Sequence, residues 1–462
     1  MKSTAAGRLL FATLLVLGGT LLGAQRRQVA VVAEKPPMGW NSWDAYGLTI
    51  TEQQFRDNAL VMATKLKSSG WEYAVIDEGW FLKNPLDRPT PDKLVYELDD
   101  AGRYTPVPSR FPSAVNAAGK NVGFAVLGTY VHSLGLKFGI HIVRGIPRES
   151  VKLNLLVAGS KYRAEDVADT TDACPWDPTN WGVKNTPAGQ AWYDSLLAQY
   201  VAWGVDYLKV DCISDHPYKS AEIRMLHRAI VKSGRPIVLS LSPGPASAGM
   251  VSELQKYAQL WRISDDVWDY WRTTRAFPRS VHDQFDLLAT WVPFAHAGSW
   301  PDADMLPFGY LGPMPGEGTA RETRLTREEQ QTMLTLWSIA RSPLVLGANL
   351  TKMDEWTEQL LTNRGILEMG QNGHDQRQVA RQGDTVTWVS HGKPGVAYLA
   401  FFNLGDLPAR EQQRFDFFGL APGEYQGTEL WSHGAIGAST MMDVRLAPHG
   451  CKVLELQLAK GN

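Results

Sequence analysis

Eight short apolar runs recur along the first three quarters of the chain, most of them closing on acidic, aromatic or other polar residues. They are Pro37 to Trp43, Tyr73 to Trp80, Phe138 to Val143, Asp206 to Cys212, Pro236 to Ser242, Leu260 to Asp266, Gly298 to Met305 and Ser342 to Asn349. Runs this short, bounded by turn residues, read as buried strands. The stretches between them have helical spacing. Thr51 is a plausible N-cap with Glu52 in the first turn, and Phe55, Ala59, Met62 and Leu66 form an apolar stripe that Gly70 ends. A second helix is expected from about Gly189 to Trp203, where Ala191, Leu196, Tyr200 and Trp203 share a face before Gly204 stops it.

Strands alternating with helices imply βαβ units, and eight of them in roughly 310 residues fit a closed α/β (β/α)8 TIM barrel. Chemistry in that fold sits at the C-terminal strand ends. The polar side chains of this chain gather there: Trp40, Trp43 and Asp44; Asp77, Glu78 and Trp80; His141; Lys209 and Asp211; Ser242; Arg262 and Asp266; Asp302 and Asp304.

Beyond Asn349 a last helical stretch reaches about Gly370, and the pattern then changes to period two in Thr385–Val389 and Val396–Phe402. Such runs read as antiparallel strands. The expected layout is a barrel over residues 30–370 followed by a small C-terminal antiparallel β-sandwich over 375–462, serving as support or binding carbohydrate. Between Trp80 and the third strand, Pro85, Pro89, Pro91, Pro106, Pro108 and Pro112 punctuate residues 82–121, an extended loop near the barrel mouth.

Composition narrows the function. A chain of 462 residues with 44% hydrophobic content suffices for a barrel and one smaller domain, and a net charge of −2 offers no basic surface for nucleic acid. The N-terminus has Lys2 and Arg8, an apolar stretch from Leu9 to Leu22 interrupted by Gly18 and Gly19, then Arg26-Arg27. That layout predicts a signal peptide over residues 1–25, cleavage shortly after Ala24 and export to the periplasm, surface or medium; the stretch is short for a stable membrane span, an uncleaved anchor being the alternative. Of three cysteines at least one stays unpaired. Cys174 and Cys212 are the pair expected to form a disulfide, two reduced buried cysteines being the other reading, and Cys451 reads as a core residue of the C-terminal part.

Lys209 and Asp211 stand two apart on one strand and so share a face. They form either a salt bridge closing a barrel layer or a nucleophile kept ionised by a neighbouring cation. Neither HExxH nor paired CxxC occurs, the histidines are scattered, and GxGxxG, Walker and GxSxG patterns are lacking. No metal and no cofactor is therefore expected. A barrel with carboxylates at its mouth is suited to splitting glycosidic bonds with two carboxyl groups. Seventeen tryptophans, several near strand ends, suit stacking on sugar rings, although core packing accounts for most of them.

Five co-linear motifs make the resemblance specific: Pro36-Pro37-Met38-Gly39-Trp40-Asn41-Ser42-Trp43, Ile76-Asp77-Glu78-Gly79-Trp80, Tyr207-Leu208-Lys209-Val210-Asp211-Cys212, Trp261-Arg262 and Asp302-Ala303-Asp304-Met305. From about residue 36 to 350 the chain resembles glycoside hydrolase family 27, which contains α-galactosidases and α-N-acetylgalactosaminidases. The resemblance implies that Asp211 is the nucleophile and that Lys209 touches sugar hydroxyls. It makes Asp266 the acid/base, four residues after Arg262 in the family's spacing, which the adjacent Asp265 does not match. It also implies that Asp77 and Glu78 hold the O4 and O6 side of the sugar, that Trp40 forms part of the wall, and that Asp304 orients the site.

The implied reaction is exo-acting hydrolysis of terminal α-D-galactosyl residues by double displacement with retention. Asp211 must then be charged while Asp266 carries a proton, and the two carboxyls should lie roughly 5–5.5 Å apart. Because Arg262 beside Asp266 would oppose that protonation, it is expected to contact substrate or another carboxylate.

Three departures from the family pattern bear on the substrate. Glu78 stands where the family's galactosidases commonly carry a second aspartate, and its extra methylene reaches into the space of a C6 hydroxymethyl. A β-L-arabinopyranoside, which lacks C6, is the main alternative substrate. Ser242 lies where galactosidases of higher organisms have a Cys-Glu-Trp segment, which leaves room at C2 and admits an α-N-acetylgalactosaminide. His141 replaces a common tyrosine and either donates to a hydroxyl or is structural. Two readings of another class remain. One is a catalytically silent sugar-binding protein, disfavoured because both carboxylates are present; the other is a Schiff-base aldolase on Lys209, disfavoured by the adjoining acid and the lack of a phosphate site.

Overall fold

Each of the eight apolar runs holds a strand in the computed structural model, which describes residue 1 and residues 31–87, 93–177 and 179–459. The expected signal peptide lies outside the described residues. The strands are β1 (Met38–Asn41), β2 (Tyr73–Ile76), β3 (Lys137–Val143), β4 (Val205–Asp211), β5 (Val238–Leu241), β6 (Leu260–Arg262), β7 (Trp300–Asp302) and β8 (Leu344–Leu346). They form one parallel sheet in the order β7-β6-β5-β4-β3-β2-β1-β8. Its two edges meet where Leu306, just past β7, makes a parallel bridge to Leu346, so the sheet curls into a barrel. Register decides which polar residues become neighbours: His141 pairs with Lys209, Val143 with Asp211, and Arg262 with Asp302.

The helices start and stop where local chemistry requires. In α1 (Glu52–Val61) Thr51 and Gln54 form a capping box, each side chain bonding the other's backbone N–H. The helix continues through a wider turn, Met62–Leu66, and a tight one, Lys67–Ser69, and ends at Gly70, whose φ of +100° only glycine adopts readily. In α2 (Pro187–Ala202) Thr186 caps the end by accepting from the Gly189 N–H, with Pro187 in the first turn. The helix α3 (Ser220–Ser233) follows β4, and α4 (Arg327–Ile339) leads to β8. No described helix is long and apolar enough to cross a membrane. An insertion between β3 and α2 forms a three-stranded sheet of Ile146–Pro147, Ala168–Ala173 and Asn180–Val183.

The C-terminal part is antiparallel. Its strands are β9 (His374–Gln382), β10 (Thr385–His391), β11 (Val396–Asn403), β12 (Ala409–Arg414), β13 (Tyr425–Glu429), β14 (Ala435–Ser439), β15 (Met441–Leu446) and β16 (Cys451–Leu458). A six-stranded sheet, β9-β10-β11-β16-β13-β14, faces the pair β12-β15. The uninterrupted apolar run of β11 has a physical reason: Ala397, Leu399 and Phe401 point into the sandwich interior, whereas Tyr398, Ala400 and Phe402 join the barrel's own core. Polar contacts reinforce that joint, with the Thr332 hydroxyl donating to the His449 carbonyl at 2.7 Å and the Trp431 indole donating to the Thr335 hydroxyl at 3.0 Å.

Candidate active site

The C-terminal ends of the barrel strands surround a cavity of about 630 Å³. Asp77, Glu78, Lys209, Asp211, Ser242, Arg262, Asp266 and Asp304 all line it. These side chains come from five strand ends or the residues just beyond them, and the alternation of β4 turns Lys209 and Asp211 to the same side.

Lys209 joins the two halves of the site. Its Nζ donates to Asp77 Oδ2 at 2.8 Å, and the same oxygen accepts from Asn41 Nδ2 at 2.6 Å. Burial opposes both charges, but their mutual attraction prevails: Asp77 is held well below, and Lys209 well above, its ordinary range. For Asp211 too burial is the largest influence and works against the charge. His141, Lys209 and the Cys212 N–H together outweigh it and keep the carboxyl below its ordinary range. The His141 Nε2 lies 3.5 Å from Asp211 Oδ2, and the Cys212 N–H donates to Oδ1 at 2.7 Å.

Other carboxyls of the cavity are pushed toward their protonated form. Burial pushes Asp304 up to about 7, with help from Asp266 and Asp302 and against the pull of Arg262. Glu78 is raised well above its usual range by burial and by the facing Asp177 carboxylate, and Asp44 is raised by burial and then by Asp304. Asp44 Oδ2 is buried without a hydrogen-bond partner, and it fits only because residue 347 is glycine, where a Cβ would fall 1.8 Å away. Arg262 reaches Asp304 at 2.6 Å and Asp266 at 3.2 Å. The expectation that it contacts another carboxylate holds for Asp304; contrary to expectation it also touches Asp266. The Asp266 side chain is 35% exposed against 17% for Asp211, which leaves it open to a leaving group and to water.

Two expected site residues sit elsewhere. Trp40 is fully buried, donates to the Ala348 carbonyl at 2.7 Å and packs on Phe55, so it is core rather than wall. The cavity is lined instead by Trp43, three residues on. His141 is 1% exposed and faces Asp211 rather than the cavity, so it supports a carboxylate instead of reaching a ligand. Trp80, Trp261 and Trp300 are likewise fully buried.

Other residues enter from loops. Trp176, Asp177 and Thr179 reach the cavity from the insertion after β3, His216 from the loop after β4, Asp265, Trp268 and Phe277 from the loop after β6, and Leu82 and Leu94 from the proline-rich loop. Cys174 and Cys212 form a disulfide, which ties the loop of Trp176 and Asp177 to the residue after Asp211. Trp176 packs edge-on against His216 at 5.2 Å. Asp265, which the motif spacing set aside, lines the cavity beside Asp266. The Pro175-Trp176-Asp177 run beside Cys174 was the sequence signal for this loop, and the expected pairing of Cys174 with Cys212 places it next to Asp211.

The arrangement gathers a stabilised carboxylate and several further carboxyls in one cavity, the residue types that glycoside hydrolysis uses. Comparisons with known proteins agree. The family model described as alpha galactosidase A matches residues 179–372, and that of the alpha galactosidase C-terminal beta sandwich domain matches residues 382–456. The chain is 27% identical over 440 residues to alpha-galactosidase 2 of Arabidopsis thaliana, covering 93% of this chain and 91% of that protein. It is 26% identical over 404 residues to an alpha-N-acetylgalactosaminidase of Gallus gallus, covering 82% of each. Among solved structures it is similar to a family 27 β-L-arabinopyranosidase of Geobacillus stearothermophilus, with 40% identity, a TM-score of 0.87, and coverage of 93% of this chain and 98% of that one. A variant of that enzyme has been solved in complex with arabinose. With the barrel, the sandwich and the carboxylate-lined cavity in place, this similarity over nearly the whole of both chains means that the protein is a glycoside hydrolase belonging to glycoside hydrolase family 27.

Proposed function

We propose that the protein is an exo-acting, retaining β-L-arabinopyranosidase. The observation that carries this reading is Glu78, a glutamate facing Asp177 in the cavity where the resembled galactosidases commonly carry an aspartate. L-Arabinopyranose and D-galactose share their ring configuration and differ at C6. A longer side chain occupies the space of the hydroxymethyl and leaves a pentose unhindered. The 40% identity to the Geobacillus β-L-arabinopyranosidase, against 27% to the Arabidopsis α-galactosidase, supports the same order of preference.

In this reading Asp211, charged through His141, Lys209 and the Cys212 N–H, attacks the anomeric carbon while Asp266 gives its proton to the departing oxygen. The glycosyl–Asp211 ester is then opened by water that Asp266 deprotonates, which restores both groups and retains the configuration. Asp77, Glu78 and Lys209 hold the sugar hydroxyls, and Asp304 and Arg262 orient Asp266. Export completes the proposal, with the Cys174–Cys212 disulfide suiting an oxidising compartment.

α-D-Galactosidase activity is the second reading, favoured by the two matched family models. Release of p-nitrophenol from the β-L-arabinopyranoside, the α-D-galactopyranoside and the α-N-acetylgalactosaminide separates the readings. The expected result is fastest turnover of the arabinoside, no turnover by Asp211→Ala, and a shift of roughly tenfold or more toward the galactoside in Glu78→Asp. A wild type that prefers the galactoside, with a ratio indifferent to Glu78→Asp, returns the function to α-galactosidase. A preference for the N-acetylgalactosaminide makes the space beside Ser242 decisive.

A further inference from the structure

Arg144 follows β3 directly and is 2% exposed, yet it does not line the cavity. Its main-chain N–H donates to the Asp211 carbonyl at 3.2 Å, and its Nε donates to the Cys212 carbonyl at 2.7 Å. Those two carbonyls belong to the peptide units on either side of the Cys212 Cα. A single residue thus fixes both planes that set the backbone angles of Cys212.

Those angles matter because Cys212 has φ +60°, a region that L residues avoid since Cβ crowds the following carbonyl. It is in this conformation that the Cys212 N–H donates to Asp211 Oδ1 at 2.7 Å.

The rest of the guanidinium is locked. Nη1 and Nη2 grip Asp172 at 3.0 and 2.9 Å, and Nη1 also reaches Glu222 at 2.8 Å. Lys219 holds Asp172 at 2.8 Å, and the Tyr193 hydroxyl holds Glu222. The guanidinium therefore cannot turn away from the Cys212 carbonyl without breaking a charged fork in a desolvated setting, where such bonds are strong. Asp172 and Glu222 alone would balance its charge, so the Nε bond to Cys212 is additional to what burial demands.

We infer that Arg144 is a positioning residue for the nucleophile: by holding the peptide units that flank Cys212, it aims the Asp211 carboxylate. The inference rests on Asp211 being the nucleophile, as proposed above. Arg144 acts through the backbone, while the disulfide to Cys174, two residues from Asp172, anchors the same segment through a side chain.

The test is covalent trapping of the nucleophile with an activated difluoro-glycoside of the sugar that the wild type turns over fastest, read by mass spectrometry, alongside steady-state kinetics. Lysine keeps the charge but lacks both the fork and Nε. Arg144→Lys is expected to lower kcat and the trapping rate on the order of 100-fold, with KM within about threefold of wild type. The acidic limb of the kcat/KM profile should move to higher pH, since Asp211 loses the Cys212 N–H while His141, Lys209 and Glu78, which also face it, are untouched. Tyr193→Phe removes a member of the same buried network without touching Cys212, and should leave kcat and the pH limb in place even if it lowers Tm. Should Arg144→Lys fail to fold, Asp172→Asn loosens the fork and should give a smaller loss of the same kind. Trapping at the wild-type rate with an unmoved pH limb overturns the inference, as does an equal loss of kcat in Tyr193→Phe. Labelling of the wild type at a carboxylate other than Asp211 overturns the assignment of the nucleophile, and this inference with it.

Discussion

At the scale of single residues, the site divides its carboxyls by the company each keeps. Asp77 and Asp211 face cations or N–H donors and remain charged, whereas burial and neighbouring carboxylates raise the others: Asp177 acts on Glu78, Asp304 on Asp44, and Asp266 with Asp302 on Asp304. For Asp304 this has a consequence for stability. Its carboxyl is pushed up to about 7 in the folded protein against about 4 in the unfolded chain, so the folded state binds the extra proton between those values. That stabilising contribution is complete below about pH 4 and is lost as pH rises to about 7. Asp304→Asn, which does not titrate, should therefore gain stability relative to wild type across that window, whatever its constant offset from a weakened Arg262 contact. Urea midpoints at a series of pH values check this, and a difference independent of pH refutes it. The residue types and their spacing were legible in the sequence. The opposing protonation of chemically alike carboxyls was not, because it depends on which neighbours the register brings across the barrel.

At the scale of elements, local signals placed the strands and helices well. All eight apolar runs contain a strand, and Thr51, Gly70 and Gly204 mark helix ends as expected, because capping and left-handed turns are decided by a few adjacent residues. Trp40 shows the limit of such reading: a tryptophan at a strand end was expected to face the sugar, but the packing of α1 on β1 turned it into the core against Phe55. The insertion after β3 was harder still, since its short strands carry no clear periodicity and it reaches the cavity through the disulfide. Cys174 and Cys212 are 38 residues apart, and loop-closure entropy puts the stabilisation from linking them at roughly 2–4 kcal/mol. Replacing both with alanine should lower the free energy of unfolding by that amount in non-reducing buffer, and dithiothreitol should then have no further effect. An unchanged denaturation midpoint in the double variant would sink this account.

At the scale of the whole molecule, barrel and sandwich share a core. Trp388, Tyr398, Phe402 and Leu430 from the C-terminal part belong to the same apolar cluster as Phe285, Trp337 and Leu361 of the barrel part, and His449 stacks on Trp271 at 4.5 Å while its Nδ1 meets Glu329 at 2.7 Å. Truncation after residue 372 would strip this surface from α4. The shortened chain should be inactive and aggregate, and the full chain should unfold in a single calorimetric transition, since the barrel's apolar cluster runs on into the C-terminal part. Two resolved transitions, or an active truncated barrel, would contradict the shared core. By itself the sequence determined the alternation of strands and helices, the change to antiparallel strands near residue 374, the family, and the carboxylates at the strand ends, because periodicity, capping and co-linear motifs are properties of short stretches of chain. Only the tertiary structure decided that Lys209 pairs with Asp77, that His141 serves Asp211, that Trp43 rather than Trp40 lines the cavity, and that Arg144 grips the peptides around Cys212. Each of those contacts joins residues far apart in the chain, and barrel closure, register and burial, not local preference, select them.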